Sequence, residues 1–454
     1  MAAIQSSGGT QWSSRFAFIM AAVGSSVGLG NLWRFSSEAG QNGGGAFIVV
    51  YLLAVVLVCI PVLMSEYLVG RAGEASSAPN SVSDLSLRSG VSKGWSSQAW
   101  VGMIAAFLIV SFYCVVAAWV MAYIPKFLFG GFDGMDAEQV GATFGEFIGD
   151  PIRVLPWFLA FAGLTTFIVS RGVNAGIELA AKVLMPVFFV LLAGLALYGI
   201  VTNVGNGGTG EAVRFLYTPK FGDMNAGVMA AALGQAFFSV GIGSAIMITY
   251  GSYLPRDVSI PNAALTVGLV DTGVALVAGF AIFPIVFALG LDVTAGAGLF
   301  FVTLPNAFLQ LGAIGNVLGA AFFFLAFFAA ITSSVSLLEP ATAHLSEKAG
   351  MSKAKAAWIM GGLMTVVGLG SVFIAGFLDG VDAFTGKLLL PLAGLITVLF
   401  VGWRLDRVIL DAELSGPGEA LGRKLLVLVK YVAPIFVGIV AIMSAIDYFG
   451  SLGG

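Results

Sequence analysis

Residues 24–31 read GSSVGLGN, and this short stretch decides how the rest of the chain is interpreted. It is rich in glycine and serine, which weaken an α-helix, yet it lies inside an apolar segment long enough to cross a membrane. Backbone N–H and C=O groups cannot be left unpaired against lipid. The stretch is therefore either a close-packing surface of small residues or an unwound segment whose lost hydrogen bonds are replaced inside a cavity.

The composition of the whole chain agrees with a membrane setting. Of its 454 residues, 58% are hydrophobic and only 10% are charged, with a mean hydropathy of +0.98, whereas soluble proteins carry about 25% charged residues. Apolar runs of about 20 residues predict an all-α polytopic membrane protein with eleven transmembrane helices. The predicted spans are 15–37, 46–70, 98–127, 154–171, 173–200, 226–253, 259–290, 316–349, 353–375, 382–404 and 428–449.

The distribution of positive charge predicts the orientation, because lysine and arginine are retained on the cytoplasmic side of short loops. With the N-terminus inside, 15 of the 21 Lys and Arg residues lie on cytoplasmic segments and 6 lie outside. We therefore expect a cytoplasmic N-terminus and, with eleven spans, an outer C-terminus. The polar start of the chain leads directly into the first long span, so we expect no cleavable signal peptide.

The sixth predicted span repeats the pattern of the first. Residues 234–253 read GQAFFSVGIGSAIMITYGSY, again with glycine and serine at the centre, five spans later. Two glycine-interrupted spans in corresponding halves predict an inverted-repeat transporter, in which freed carbonyls bind cations and a half-helix end faces a carboxylate. The halves would be 1–200 (spans 1 to 5) and 201–404 (spans 6 to 10), followed by a cytoplasmic loop and span 11 in 405–454.

These residues resemble the neurotransmitter:sodium symporter family. The motifs that carry the resemblance are VGLGNLWRF (27–35), NGGGAF (42–47), GQAFFS (234–239), ITYGSY (248–253), FFAAITSS (327–334) and LEP (338–340). The resemblance implies a 5+5 leucine-transporter-like fold with broken helices 1 and 6. It also implies sodium-coupled amino acid symport by alternating access, in the plasma membrane of a bacterium, and no enzymatic activity.

The resemblance implies two sodium sites made of hard oxygen ligands. The first would use the Ser26 carbonyl, the Asn31 and Ser239 side chains, Asp271 and the carboxylate of the substrate. The second would use the carbonyls of Gly24, Val27 and Ala329 and the hydroxyls of Thr332 and Ser333.

Asp271 stands where other members of the family have asparagine, and a carboxylate inside a membrane helix is costly enough to indicate function. Ala275, one turn later, is neither the serine of chloride-dependent relatives nor the glutamate of some bacterial ones. We therefore expect Asp271, surrounded by Tyr51, Gln235 and Ser239, to act as a built-in counter-charge. This predicts that no chloride is required.

The implied substrate is an amino acid, because Gly28 occupies the position where monoamine transporters have an aspartate. Ser244 and Gly241 replace a phenylalanine and a serine of the leucine transporter, which favours larger hydrophobic amino acids of the Leu, Met, Phe, Tyr and Trp class. The alternatives are another small zwitterion, such as glycine, GABA or a betaine, and a receptor that binds without transporting. The implied substrate-binding residues are Ser26, Gly28, Gly30, Ile109, Tyr113, Val116, Phe238, Ser239, Gly241, Ser244, Ser334 and Leu337.

The resemblance also implies gates on both faces. Arg34 and Asp382 would form the outer ion pair, with Phe238 as a lid, and the inner gate would include Trp12, Tyr253 and Glu347. The family's inner arginine is missing, since Gly9 stands there, and Arg15 is the alternative. In the fifth span, Gly176 and Pro186 resemble a motif at which some relatives unwind this helix, although proline alone also explains a kink.

Other classes are less well supported. A channel also uses broken helices and lining carbonyls, but these motifs lie in two non-equivalent spans of one chain. An intramembrane enzyme needs a nucleophile and base or a metal cluster. The single histidine, His344, is predicted near a helix end, and Cys59 and Cys114 lie apart in apolar spans. No basic run suggests nucleic acid, so the expected partners are an amino acid, sodium ions and the lipid bilayer.

Overall fold

The computed structural model describes residues 11–291, 293 and 298–452, and the regular structure within this part of the chain is entirely helical. Nine of the described helices are long and apolar enough to span a membrane. They are Gly45–Ala72 (span 2), Lys93–Leu128 (span 3), Pro151–Ser170 (span 4), Val173–Thr202 (span 5), Ile260–Ala288 (span 7), Ile314–Ala349 (span 8), Lys353–Phe373 (span 9), Phe377–Trp403 (span 10) and Glu419–Gly450 (span 11). The prediction of an all-α polytopic membrane protein is confirmed.

Span 1 is a bent pair of helices, Arg15–Ser26 and Gly30–Gln41, which meet at 54°. Two shorter helices, Ala226–Val240 and Ile246–Ser252, lie at the place of the predicted sixth span and are here numbered span 6. Neither is long enough to cross a membrane by itself. The total of eleven crossings therefore stays a prediction, while the two broken helices appear where the glycine pattern predicted them.

Besides the short 3₁₀ helix Phe221–Asp223, five further helices connect the spans in the described part of the chain, and the sequence analysis did not anticipate them. They are Ala78–Arg88, Ala137–Ile148, Gly208–Tyr217, Leu299–Leu309 and Arg407–Leu414.

The spans also extend beyond their predicted ends where a polar residue caps them. Asp150 accepts a hydrogen bond from the N–H of Ile152 at 3.0 Å at the start of span 4, which satisfies an otherwise unpaired donor.

The break in span 1 follows from the residues at positions 27 to 31. Val27 is extended, with ψ at 103°, and the helix resumes at Gly30 with a π-helical turn. The side chain of Asn31 accepts a hydrogen bond from the N–H of Gly28 at 3.0 Å. This side-chain contact replaces a backbone hydrogen bond that the break removes.

The break in span 6 requires three left-handed residues. Gly241, Gly243 and Ala245 have φ angles of 70°, 80° and 60°, which glycine adopts freely but which costs alanine about 1–2 kcal/mol. The N–H of Gly243 donates to Oε1 of Glu66 in span 2 at 2.7 Å. A carboxyl group of a neighbouring span therefore replaces the lost helical acceptor.

Glycines let the spans around this break approach one another closely. A Cβ on Gly102 of span 3 would lie 2.5 Å from the carbonyl oxygen of Gly243. On the other side of the break, a Cβ on Gly70 of span 2 would lie 2.0 Å from the carbonyl oxygen of Ile248. Both distances are too short for real atoms. Span 6 is therefore in backbone contact with spans 2 and 3.

Candidate functional site

The two breaks face one another across a central cavity. Its walls come from spans 1, 3, 6, 8 and 10, so residues far apart in the sequence meet there. The lining residues are Ser25, Ser26, Gly28, Gly30, Ile109, Tyr113, Phe238, Ser239, Gly241, Ser244, Ile246, Ser333, Leu337 and Leu390. Ten of the twelve residues expected to bind substrate are in this set.

Val116 and Ser334 are the two that the structure places elsewhere. Val116 lines a second cavity beyond Phe238. The hydroxyl of Ser334 lies 2.9 Å from that of Thr165 in span 4, away from the cavity. A rotation of one residue along a helix turns the side chain by about 100°, so the serine before it, Ser333, faces the cavity instead.

Ser25, Ile246 and Leu390 line the cavity but were not anticipated. Leu390 belongs to span 10, and no motif in the sequence pointed to that span as part of the binding site. It reaches the cavity because span 10 packs against the span 6 break. A Cβ on Gly243 would lie 2.4 Å from the carbonyl oxygen of Leu390.

Three buried side chains form what we call the Asp271 cluster: Asn31, Ser239 and Asp271. The amide of Asn31 donates to Oδ1 of Asp271 at 2.8 Å and to the hydroxyl of Ser239 at 2.9 Å. The Ser239 hydroxyl donates to Oδ2 of Asp271 at 2.7 Å. The cluster joins spans 1, 6 and 7 next to the cavity.

Two contacts hold the breaks around this cluster. The Ser26 hydroxyl donates to the carbonyl of Val240 at 3.2 Å and so connects the two broken helices directly. The amide of Gln235 donates to the carbonyl of Gly30 at 3.0 Å. Tyr51 and Ala275 are fully buried.

A second group of oxygen atoms, the Ser333 cluster, comprises Gly24, Val27, Ala329, Thr332 and Ser333. The hydroxyl of Ser333 lies 3.4 Å from the carbonyl oxygens of both Gly24 and Val27. The Thr332 hydroxyl lies 3.1 Å from the carbonyl oxygen of Ala329. The structure therefore brings together all five residues expected to form the second sodium site.

Tyr113 of span 3 faces the break in span 1. Its hydroxyl accepts a hydrogen bond from the N–H of Leu29 at 3.4 Å. It lies 3.3 Å from the position of a Cβ on Gly28, and the Ser333 hydroxyl lies 2.8 Å from the same position. Gly28 therefore leaves room at the point where the phenol, the break and the Ser333 cluster converge.

On the predicted outer face, Phe238 lies between the central cavity and two larger cavities. Arg34 and Asp382 line both outer cavities, but the ion pair expected between them is not formed. The guanidinium of Arg34 lies 4.4 Å from the centre of the Phe238 ring and 3.8 Å from Glu38. Glu38 is on the same helix one turn later, so it competes with Asp382 for Arg34 in this conformation.

The predicted inner face is closed by aromatic packing. The indole of Trp12 is 3% exposed, and it donates to the carbonyl of Tyr250 at 3.1 Å. The N–H of Trp12 donates to the carbonyl of Tyr253, also at 3.1 Å. Two hydrogen bonds thus connect the start of span 1 to the end of span 6.

Glu347 does not join Trp12 and Tyr253. It accepts from the N–H of Ser77 at 2.7 Å and from Asn80 at 2.9 Å. The hydroxyl of Tyr253 donates instead to Glu339 at 2.8 Å. The reason is that the segment between spans 2 and 3 folds back toward Glu347, and its residues Ser77 and Asn80 take up the hydrogen bonds of this carboxylate.

The two positions considered for the arginine of the inner gate, 9 and 15, do not supply an ion pair. Gly9, at the usual arginine position, lies outside the described residues. Arg15 is exposed and forms no ion pair with any residue that the structure describes. The cation near Tyr253 is Lys353, which pairs with Glu339.

Glu178, at the start of span 5, was missed by the sequence analysis. Its carboxylate accepts from the N–H of Ser13 at 3.0 Å, from Asn174 at 3.0 Å and from Lys182 at 2.6 Å. It therefore holds the start of span 1 against span 5. A signal was present, because a buried glutamate inside an apolar span is a functional candidate by default, and Glu66 had the same signal.

Span 5 is wound in this conformation. Gly176 lies in a π-helical turn, Val173–Glu178, and Pro186 lies inside the helix Leu179–Thr202. A Cβ on Gly176 would lie 2.0 Å from the carbonyl oxygen of Ile168, so this glycine is needed for packing here. The unwinding expected from these two residues stays a prediction.

A polytopic helical protein with two broken helices, a central cavity and oxygen clusters at both breaks defines a secondary transporter. The chain belongs to the sodium:neurotransmitter symporter family, which it matches over residues 9–131 and 151–451.

Three relatives cover between 72% and 96% of the chain. An uncharacterised sodium-dependent transporter of Bacillus subtilis, YhdH, is 35% identical over 96% of this chain and 98% of its own length. The sodium-dependent nutrient amino acid transporter 1 of Drosophila melanogaster is 26% identical over 72% of this chain and 60% of its own length. The crystal structure of MhsT in complex with L-phenylalanine superposes with a TM-score of 0.87, at 39% identity, covering 96% of this chain and all of MhsT. The chain is a sodium-dependent transporter and not an enzyme, as its sequence predicted.

Proposed function

We propose that this protein is a sodium-coupled, chloride-independent symporter of hydrophobic L-amino acids. The observation that carries the proposal is the central cavity between the two broken helices, with the Asp271 cluster and the Ser333 cluster beside it. Both clusters contain hard oxygen atoms, which suit a monovalent alkali cation. In the Asp271 cluster these are the Asp271 carboxylate and the Ser239 hydroxyl, while Asn31 directs its amide nitrogen to both. Free carbonyls at the breaks are the usual ligands for coupling ions in transporters of this type.

The first ion would bind at the Asp271 cluster with the substrate carboxylate and the Ser26 carbonyl, and the second at the Ser333 cluster. Asp271 supplies a fixed negative charge at the first site. This supports chloride independence, because the counter-charge that an anion would otherwise provide is already part of the protein. The substrate carboxylate completes the first ion's shell, and this shared ligand couples the two bindings.

A hydrophobic substrate is supported by the cavity walls. Ile109, Ile246, Leu337 and Leu390 are apolar, while Gly241 adds no side chain to the wall. MhsT, the structural relative, is in complex with L-phenylalanine. The substrate's side chain would lie among these apolar residues, with its carboxylate toward Tyr113 and the Asp271 cluster.

Transport would proceed by alternating access around this cavity. Spans 1, 2, 6 and 7 would move as a bundle against the remaining spans. The Asp271 cluster, which joins spans 1, 6 and 7, and the hydrogen bond from Gly243 to Glu66 of span 2 support their joint movement. Sodium would favour opening on the Arg34 face, and substrate with sodium would permit closure. The distribution of Lys and Arg supports a cytoplasmic N-terminus. The similarity to YhdH of Bacillus subtilis supports a bacterial plasma membrane.

Binding of a labelled amino acid panel to purified protein tests this function. We expect binding of one or more of Leu, Met, Phe, Tyr and Trp in sodium but not in potassium, with the same affinity whether chloride or gluconate is the anion. Saturable, sodium-driven uptake into proteoliposomes should follow. Preference for glycine, GABA or betaine would reassign the substrate, and binding without uptake would indicate a receptor.

The neighbouring serines of span 8 provide a matched test of the Ser333 cluster. We expect Ser333→Ala to raise the sodium concentration for half-maximal substrate binding about fivefold, because losing one neutral ligand costs about 1 kcal/mol. Ser334→Ala should leave this concentration unchanged, because its hydroxyl faces Thr165. Equal effects of the two substitutions would contradict the assignment of Ser333 as an ion ligand.

A further inference from the structure

A basic and aromatic surface lies where span 10 ends, beside the start of the apolar run predicted at 428–449. We call it the Lys430 surface, and it comprises Trp403, the last residue of span 10, with Lys430 and Tyr431 of span 11. The Lys430 ammonium lies 4.9 Å from the centre of the Trp403 ring and 5.5 Å from that of Tyr431. The two rings meet edge to face, with their centres 5.9 Å apart. One cation is therefore held beside two aromatic rings.

Backbone contacts fix this surface in place. The indole N–H of Trp403 donates to the carbonyl of Lys430 at 3.0 Å. A Cβ built on Gly402 would lie 3.1 Å from Cα of Lys430, so the two spans approach closely here. A π-helical turn, Leu428–Val432, contains both span 11 residues of the surface, and such turns are frequent at functional sites. The three side chains therefore project from a tight junction of two helices.

Lys430 carries a charge that no described side chain neutralises. The cations in the connection from span 10 to span 11 that form no ion pair with any described residue are Arg404, Arg407, Lys424 and Lys430. The acidic residues of this connection are engaged by backbone N–H or arginine groups: Asp406, Asp411, Glu413 and Glu419. A negatively charged partner from outside the chain would therefore find an unpaired ammonium at this junction.

The surface faces the lipid bilayer. Trp403 and Tyr431 are 56% and 53% exposed, and tryptophan and tyrosine at the ends of membrane spans lie at the level of the lipid headgroups. From Tyr431 onward, exposed side chains follow one face of span 11 at helical spacing: Tyr431, Ile435, Ile439, Ile442 and Ile446. Residues three and four apart share a helix face. The ammonium thus lies at headgroup level, next to an apolar stripe that runs into the hydrocarbon.

We propose that the Lys430 surface binds one anionic phospholipid, with the headgroup phosphate beside the ammonium and an acyl chain along the stripe that starts at Tyr431. A zwitterionic lipid fits less well, because its own cation would meet the Lys430 ammonium at rings that this side chain already occupies. The lipid would bridge spans 10 and 11. None of the three residues lines the central cavity, so this site is separate from the one proposed for the substrate.

Titration of purified protein with phosphatidylglycerol, in a non-ionic detergent, tests this proposal. Native mass spectrometry counts the bound lipid, and phosphatidylcholine with the same acyl chains is the comparison. We expect the wild type to bind phosphatidylglycerol about fivefold more tightly or better. Lys430→Gln should weaken this binding about fivefold, the equivalent of about 1 kcal/mol, and leave phosphatidylcholine unaffected. Lys430→Arg keeps the charge and should stay within about twofold of the wild type.

Lys348→Gln is the matched control, because Lys348 is also exposed on the predicted cytoplasmic face, in the last turn of span 8, and forms no ion pair with a described residue. We expect wild-type phosphatidylglycerol binding in this variant. An equal loss in both glutamine variants would show diffuse charge attraction and overturn the site. Equal wild-type binding of the two lipids, or an unaffected Lys430→Gln protein, would do the same.

Two other occupants are recognised in the same spectra. Soluble glycerol 3-phosphate should not displace phosphatidylglycerol, because it lacks the acyl chain that lies on the stripe; displacement at similar concentrations would assign the site to a free phosphate. A Lys430→Gln protein that loses a dimer while keeping its bound lipid would assign the surface to a second copy of the chain. Either result would overturn the lipid proposal.

Discussion

Replacing Asp271 by asparagine is expected to raise the sodium concentration needed for half-maximal substrate binding by about 100-fold or more. The carboxylate is fully buried and accepts from Asn31 at 2.8 Å and from Ser239 at 2.7 Å. With sodium bound, Asp271 and the ion would form a buried charged pair. Removing one member of such a pair costs about 2–5 kcal/mol, and each 1.4 kcal/mol is tenfold in affinity. The asparagine amide would also direct a donor toward groups that already donate.

Sodium titrations of substrate binding, in chloride and in gluconate, measure this effect. Because the substitution removes the fixed counter-charge, chloride is expected to restore part of the binding in the variant and to have no effect on the wild type. Asp411→Asn is the control, since that carboxylate is exposed on a connecting helix and lies 3.9 Å from Arg423. An Asp271→Asn protein with wild-type sodium dependence would exclude this residue from the first sodium site.

Replacing Glu66 by alanine is expected to remove most transport activity and to lower thermal stability. Glu66 is fully buried in span 2 and accepts the N–H of Gly243 at 2.7 Å. Without it, a buried backbone donor in the span 6 break is left unpaired, which costs about 1–3 kcal/mol. The truncation also removes the contact through which span 2 holds the broken helix in its left-handed conformation.

Glu66→Gln separates the hydrogen bond from the charge, since the glutamine side chain keeps an acceptor oxygen at the same place. We expect this variant to keep uptake within about threefold of the wild type, and Glu66→Ala to fall at least tenfold, a difference in keeping with about 1.4 kcal/mol or more. Uptake into proteoliposomes and the midpoint of thermal unfolding are the two measurements. An alanine variant as stable and active as the wild type would contradict this role.

On the predicted inner face, where Trp12 and Tyr253 were expected, the structure adds hydrogen bonds that the motifs did not indicate. Trp12 is fastened to span 6 by backbone contacts with Tyr250 and Tyr253, and Ser13 is fastened to span 5 through Glu178. These contacts link the start of span 1 to both of its neighbours. On the outer face, by contrast, Arg34 and Asp382 are not paired, and cavities reach down to Phe238.

The sequence alone determined the membrane class, the family, the two broken helices and most of the candidate site. These features are local. A run of apolar residues spans a bilayer whatever it packs against, and a glycine-rich break such as residues 24–31 weakens its own helix. The members of the Ser333 cluster could be named for the same reason, because they lie within two short motifs, one in span 1 and one in span 8.

Only the tertiary structure decided how helices are rotated and how closely they approach. It turns Ser333 toward the cavity and Ser334 toward Thr165, and it brings Leu390 to the site from a span without a recognisable motif. In the structure, Glu347 accepts a hydrogen bond from Ser77, and Arg34 forms its ion pair with Glu38. Such pairings depend on distances of a few ångströms between spans, which are set by the packing of the whole bundle and not by any one segment.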